Sequence, residues 1–380
     1  MLASPDNGIP ALRTDAARRR RVVMPLVVIA VVAVVVLLLT AASARTDLRG
    51  SGSTLAQPLI ERAAGAYRAA QTADVPEPSS LTPGPWQHGS AASIDYEPVG
   101  SLGGIMRLTR GQVDFAVSDY PLSAQALQQH SVVQFPIAVG AVAVAHNLTL
   151  PAGKALRLDA SSLAGIYTGR ITSWDDPALR ALNPALALPR TPITAVHRRE
   201  GSGSTFGFTS YLATGGREWA DGPGVGSVIT WPAGRAADRS SGLIETVKSV
   251  PGAVGYVEPG QARRAGLQVA QLRNAAGTFV APEGNTLRAA LSGMDFSGAE
   301  QYARPLTAPN SPSAYPATVL VYALVPRDGD ARQTRAVLSY FAFVIDRYDA
   351  DAAGLGYLPL PAHASRAVQD YWSTTYADLT

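Results

Sequence analysis

Gly50-Ser51-Gly52-Ser53-Thr54 and Gly201-Ser202-Gly203-Ser204-Thr205 are the same five residues written twice, and each copy opens a helix-like segment. The first turn of a helix leaves backbone N–H groups unpaired and carries the positive end of the peptide dipoles. Glycine lets the backbone come close to a ligand, and serine and threonine hydroxyls add donors, so such a loop suits an anion. Arg198 stands just ahead of the second copy. Two loops about 150 residues apart point to two lobes closing on one small oxyanion.

The residues between the copies follow an α/β order. Leu55 to Ala70 has helical spacing, and Ile94 to Val99 alternates like a strand. Gly104 to Arg110 suits a short helix, and Val113 to Val117 reads as a buried strand ending at Ser118-Asp119. Further on, Ile193 to Val196, the second loop and Thr205 to Ala213 repeat strand, loop, helix; Leu243 to Val250 and Ala253 to Val257 add a helix and a strand. This alternation predicts a sheet flanked by helices, with any ligand at the carboxyl ends of its strands. Two β-rich runs, Val132 to Ala145, interrupted at Phe135-Pro136, and Thr318 to Val325, are placed to cross between lobes near Phe135 and Pro316. They predict a discontinuous first lobe, residues 50–137 with 313–380, around a second, 138–312. The Pro-rich stretch Thr72 to Ser93 reads as an exposed loop.

Composition narrows the function. The chain has 380 residues, 47% hydrophobic and 16% charged, enough for two folded lobes. It has no cysteine, which excludes disulfides, cysteine-bound zinc, thiol catalysis and a lipid-modified cysteine anchor. Arg18 to Arg21 precede an apolar run from Val22 to Leu39, close to the ~30 Å hydrocarbon layer at ~1.5 Å per residue. Residues 1–21 are therefore expected in the cytoplasm and 22–44 as a transmembrane anchor. Ala42-Ser43-Ala44 also fits a cleavage site, so a removed signal stays open. Either way the remainder lies outside the cytoplasm. Residues 1–49 hold seven arginines against three aspartates, a net +4; the whole chain is +3, so the rest is near −1. A nucleic-acid partner is not expected from that balance.

Four junctions compete as sites: Gly50 to Leu55, Gly100 to Gly104, Ser118-Asp119, and Arg198 to Thr205. Singly, each is an ordinary turn with a cap; together with an arginine they argue for one anion cradle. The sequence lacks Gly-x-Ser-x-Gly, the P-loop and Gly-x-Gly-x-x-Gly, and its five histidines have no metal-ligand spacing. No catalytic residue, metal or cofactor is expected. His197, next to Arg198 on a strand, should point to the opposite face.

The stretches Gly50-Ser-Gly-Ser-Thr-Leu-Ala-Gln-Pro, Asp95-Tyr-Glu-Pro-Val-Gly-Ser-Leu-Gly-Gly, Val113-Asp-Phe-Ala-Val-Ser-Asp-Tyr-Pro-Leu-Ser and Arg198-Arg-Glu-Gly-Ser-Gly-Ser-Thr-Phe occur in this order. Together with Ile166-Tyr-Thr-Gly-Arg-Ile-Thr-Ser-Trp-Asp, Trp231-Pro232 and Pro251-Gly-Ala-Val-Gly-Tyr-Val-Glu, they resemble the phosphate-binding proteins of bacterial phosphate ABC transporters. The resemblance implies a two-lobed, hinged periplasmic-binding-protein fold of type II, with phosphate in the inter-lobe cleft. It implies phosphate contacts from Thr54, Leu55, Ser101, Asp119, Arg198, Ser202, Gly203 and Ser204, and delivery to an ABC permease. Asp119 would accept a hydrogen bond from the proton that phosphate carries near neutral pH and sulfate lacks, which rejects sulfate. The sequence departs from the family at Leu55 for phenylalanine, Ser204 for threonine and Glu200 for aspartate, and Ala233 to Ser241 lacks the usual glycines. A surface phosphatase-like hydrolase using Ser202 or His197, and a phosphate sensor without a transporter, remain the alternatives.

Overall fold

The computed structural model describes residues 46–72, 86, 91–292, 294–296, 302, 310–347 and 349–379. The basic N-terminus 1–21, the apolar segment 22–44 and most of the Pro-rich stretch lie outside the described residues. Among the described residues, no helix is long and apolar enough to cross a membrane.

Two five-stranded sheets share one plan. The first runs Ala91–Glu97, Thr46–Gly52, Phe115–Ser118, Thr318–Pro326, Val132–Ala141. Its first three strands are parallel and the last two pair antiparallel. The second runs Gln268–Val269, Ala143–His146, Ala253–Val257, Thr194–Arg198, Arg235–Ala237, again with three parallel strands at one side. In each sheet the middle strand of the parallel three, Thr46–Gly52 or Thr194–Arg198, leads into a Gly/Ser loop. The repeated pentapeptides therefore sit where parallel strands present their carboxyl ends.

The sequence explains these elements locally. Helix Gln57–Thr72 buries Leu59, Ile60, Ala63, Ala64 and Tyr67, one stripe of a 3.6-residue period. That stripe packs on helix Ala331–Arg347, where Tyr67 meets Tyr340 edge to face at 5.6 Å. Phe115–Ser118 and Ala253–Val257 are buried at every position, as parallel strands covered on both faces must be. Val132–Ala141 carries Pro136, which has no N–H to donate. It lies on the edge strand, where the pairing register shifts opposite Val321 and Tyr322.

The β-rich run expected from Val132 to Ala145 is two strands. The break falls at Val142 and not at the expected Phe135-Pro136, which the edge strand accommodates, and the halves belong to different sheets. The returning chain passes alongside: Val142 N–H donates to the Ala317 carbonyl at 2.9 Å, and the Tyr315 hydroxyl donates to the Val142 carbonyl at 3.0 Å. A three-stranded sheet, Phe279–Val280, Gln271–Arg273 and Arg157–Leu158, completes the second half. Helix Arg239–Ser249 starts earlier than the apolar spacing from Leu243 predicts, because its first turn is Arg-Ser-Ser-Gly and only Ser240, Leu243 and Val247 are buried.

Candidate anion-binding site

The four junctions singled out in the sequence meet in space. Ser53 N–H bonds the Val117 carbonyl at 2.8 Å, locking the first loop to the strand that delivers Asp119. The Ser53 hydroxyl accepts the Ala56 N–H at 3.1 Å and turns the chain toward helix Gln57–Thr72. Thr54 and Leu55 are buried at that turn. The second junction begins helix Ser101–Thr109 at Gly100, and Gly104 on this helix presses so closely on Gly52 that an added Cβ would lie 2.4 Å from the Gly52 Cα.

Asp119 is the meeting point of the second, third and fourth junctions. Its Oδ1 accepts the Ser101 hydroxyl at 2.5 Å, and its Oδ2 accepts the Ser204 hydroxyl at 2.9 Å. The Ser101 oxygen in turn accepts the Gly203 N–H at 3.2 Å. Gly203 has no room for a side chain: a Cβ there would lie 2.4 Å from the Asp119 carboxyl carbon. Ser202 caps helix Gly203–Ala213, its oxygen accepting the Thr205 N–H at 3.4 Å. Carboxylate, hydroxyls and helix N-terminus are thus within one hydrogen bond of one another, and all are buried.

Arg198 forms a second cluster on the same helix start. Its side chain is 1% exposed, so its charge needs a partner. Glu200 supplies it: Oε1 accepts from Nε at 2.8 Å and also from Nη2. Oε2 of the same carboxylate accepts the Arg239 N–H at 3.2 Å. Glutamate is long enough to hold both the guanidinium and the start of the next helix, which gives the departure from aspartate a structural role. The Tyr256 hydroxyl accepts the Arg198 N–H at 3.0 Å and pairs with Thr205 Oγ1 at 2.7 Å; burial pushes its ionisation up to about 12, so it stays a neutral partner.

Three more residues escaped the sequence reading. Ser240 Oγ lies 2.9 Å from Thr54 Oγ1 and accepts from Arg198 Nη1 at 3.4 Å. Gln261 Nε2 donates to the Thr54 and Leu55 carbonyls at 2.9 and 3.1 Å. Glu258, fully buried, accepts the Gly260 and Gln261 N–H groups at 2.6 and 2.7 Å and so fixes the short helix that carries Gln261; burial pushes its carboxyl up to about 7 against those bonds. The one available signal for Ser240 was the run Asp238-Arg-Ser-Ser-Gly, a fifth small-residue junction between a strand and a helix.

His197 makes no hydrogen bond to the Asp119 group, but it lines the same small cavity as Arg198 and Glu200. Its ring stacks on Trp231 at 4.8 Å, its Nδ1 lies 3.1 Å from the Arg198 carbonyl, and burial lowers its basicity. Its ring makes no hydrogen bond to Ser202. A cavity of about 280 Å³ is lined by His197, Arg198, Glu200, Thr205, Ser227 and Trp231. A larger one, about 700 Å³, reaches Asp119 from the side of Phe206 and Thr318 but touches none of the other seven predicted residues. Among the described residues, no group of three or more His, Asp or Glu side chains is placed to hold a metal.

Residues 39–345 match the family model of the PBP superfamily domain. The phosphate-binding protein PstS of Xylella fastidiosa is 33% identical over 87% of this chain and 85% of its own length. The chain belongs to the PstS family. The PstS of Haemophilus influenzae is 34% identical over 74% of this chain and 84% of its own. A phosphate binding protein from Stenotrophomonas maltophilia shares the fold, with a TM-score of 0.61 at 21% identity over 86% of this chain and 93% of that one. The expected α/β periplasmic-binding-protein-like fold is thus the fold of this PstS family member.

Proposed function

We propose that this PstS family member captures inorganic phosphate outside the cytoplasm and hands it to an ABC permease for import. One observation carries the reading: Asp119, an acceptor-only group when ionised, lies buried among donors that belong on an anion, within one hydrogen bond of Ser101, Ser204 and the Gly203 loop. A carboxylate in an anion cradle is repulsive unless the anion brings a proton, which phosphate does and sulfate does not. Relatives named for phosphate binding support the same choice.

The ligand contacts are Thr54, Leu55, Ser101, Asp119, Arg198, Ser202, Gly203 and Ser204. Net values of ~1.5–3 kcal/mol per hydrogen bond to a charged group let several of them reach the ~8 kcal/mol of micromolar affinity after ordering costs. The lobes are residues 50–137 with 313–380 and residues 138–312. They close about a hinge where the chain crosses near Val142 and again near Ala317, two crossings joined by the bond from the Val142 N–H to the Ala317 carbonyl. Residues 22–44 tether the protein to the membrane with the binding domain outside the cytoplasm, or act as a cleaved signal. The role is binding rather than turnover, since His197 faces Trp231 and leaves Ser202 without a base.

Calorimetric titration of the full-length protein in mild detergent with phosphate, sulfate and arsenate tests the reading. Phosphate and arsenate binding with sulfate excluded is the expected result. Equal binding of sulfate, or no heat with phosphate, overturns it. Release of chromophore from a phosphate ester would overturn the non-catalytic role.

A further inference from the structure

We infer that Ser240 is a further anion-contacting residue of this site, its hydroxyl completing the cradle between Thr54 and Arg198; this rests on the phosphate-binding reading above. Ser240 Oγ is within hydrogen-bond distance of both side chains, at 2.9 and 3.4 Å, and the residue is 4% exposed. Arginine can only donate, so it occupies a lone pair of the serine oxygen. The serine proton is left to rotate between Thr54 Oγ1 and an anion oxygen lying against the same two groups. A serine there would stabilise the anion without adding charge.

The surrounding backbone is built to hold that hydroxyl in place. Arg239, one residue earlier, adopts φ 60°, a conformation that costs a residue other than glycine about 1 kcal/mol or more and clusters at functional sites. What holds it is Glu200, whose Oε2 takes the Arg239 N–H while its Oε1 takes the Arg198 guanidinium. One carboxylate therefore sets the positions of the cation and of Ser240 together. Asp238, at the cap position of helix Arg239–Ser249, makes no capping bond; its carboxylate goes to Arg199 at 2.8 Å. The first turn of that helix, like those after Gly100 and Ser202, faces the cradle with its positive end.

A hydroxyl both donates and accepts, so Ser240 does not discriminate between protonation states of the anion as Asp119 does. Its removal should weaken phosphate without admitting sulfate. The test is calorimetry of the full-length Ser240→Ala and Ser240→Thr proteins with inorganic phosphate and sulfate, beside thermal melts without either. Expected are about tenfold weaker phosphate binding for Ser240→Ala, recovery in Ser240→Thr, continued exclusion of sulfate, and unchanged ligand-free melting. Ser240→Ala binding phosphate within twofold of wild type overturns the inference alone. A matching loss of ligand-free stability assigns Ser240 a structural role and also overturns it. A wild-type chain that ignores phosphate overturns the functional reading and this inference with it.

Discussion

The Ser204 hydroxyl donates to Asp119 Oδ2 at 2.9 Å, joining a helix that follows the second sheet to a loop that follows the first. Eighty-five positions separate the two residues. Their contact puts the acidic group that selects a protonated ligand against a hydroxyl from the opposite side of the cradle.

Asp119→Asn keeps the size of the side chain and replaces an acceptor-only carboxylate with an amide that also donates. Sulfate should then enter: binding, absent in wild type, becomes measurable by calorimetry, while phosphate weakens by about tenfold or more as its proton loses a charged acceptor. Unchanged discrimination between the two anions would count against Asp119 as the selector.

Gly203→Ala places a methyl 2.4 Å from the Asp119 carboxyl carbon and 2.8 Å from its backbone carbonyl carbon. Backbone cannot swing aside as a flexible side chain does, so the fourth junction must move away from the third and the Ser204 bond must lengthen. Phosphate affinity should fall at least tenfold with cooperative unfolding retained, because the change touches the junction of two loops and neither sheet. Calorimetry and a thermal melt on the same preparation check both parts.

Arg198→Lys is expected to behave almost as badly as Arg198→Ala. Glu200 holds two guanidinium nitrogens with one oxygen while Ser240 takes a third, and an ammonium cannot keep that geometry. Either change should weaken phosphate about a hundredfold, since a buried charge-assisted contact is lost and Glu200 is left without its partner. A Kd for Arg198→Lys within threefold of wild type would show that charge alone suffices.

Gln261→Glu changes one atom's chemistry at constant shape. The amide nitrogen that donates to the Thr54 and Leu55 carbonyls becomes an oxygen facing two oxygens. The first loop should loosen and phosphate binding weaken several-fold near neutral pH, with recovery as pH falls and the new carboxyl regains a proton. A pH-independent effect would mean that packing, rather than these two bonds, matters at residue 261.

His146 adds a pH dependence that has no part in binding. It is 1% exposed, neither ring nitrogen has a hydrogen-bond partner among the described residues, and burial lowers its pKa to about 4. Unfolded, the ring titrates near 6.5. Between those values the unfolded chain binds a proton that the native state refuses, so this residue lowers stability as pH falls from about 6.5 to 4, by about 3 kcal/mol in all. Glu258 acts oppositely in an overlapping range. Its folded pKa, raised to about 7, gives stability that is present at low pH and lost as pH rises through that value. The two slopes offset each other in wild type. Denaturant melts of His146→Leu should therefore show a gain over wild type that grows from pH 7 to pH 4, and a pH-independent difference would exclude the titration.

What could be read before folding was decided by local chemistry. Gly/Ser runs ahead of helical spacing mark anion-ready turns wherever they occur, so Thr54, Ser101, Ser202, Gly203 and Ser204 were legible as members of such turns. Arg198 stood just ahead of one of them, and Asp119 ended a strand at a junction of its own. The α/β order was equally legible, because strand and helix periods are properties of neighbouring residues. Helix starts were read less well, as with the earlier start of helix Arg239–Ser249, since caps and first turns carry polar residues that hide the period.

The sequence by itself determined the alternation of strands and helices, the repeated anion-ready loops, and the residue types able to select a protonated oxyanion. Only the tertiary structure decided that Asp119 meets Ser204, that Glu200 ties Arg198 to the strained Arg239, and that Ser240 and Gln261 reach the first loop from about 190 and 200 residues away. Such pairings depend on which strand lies beside which in each sheet and on how the two sheets face each other. Short-range periodicity carries no record of either.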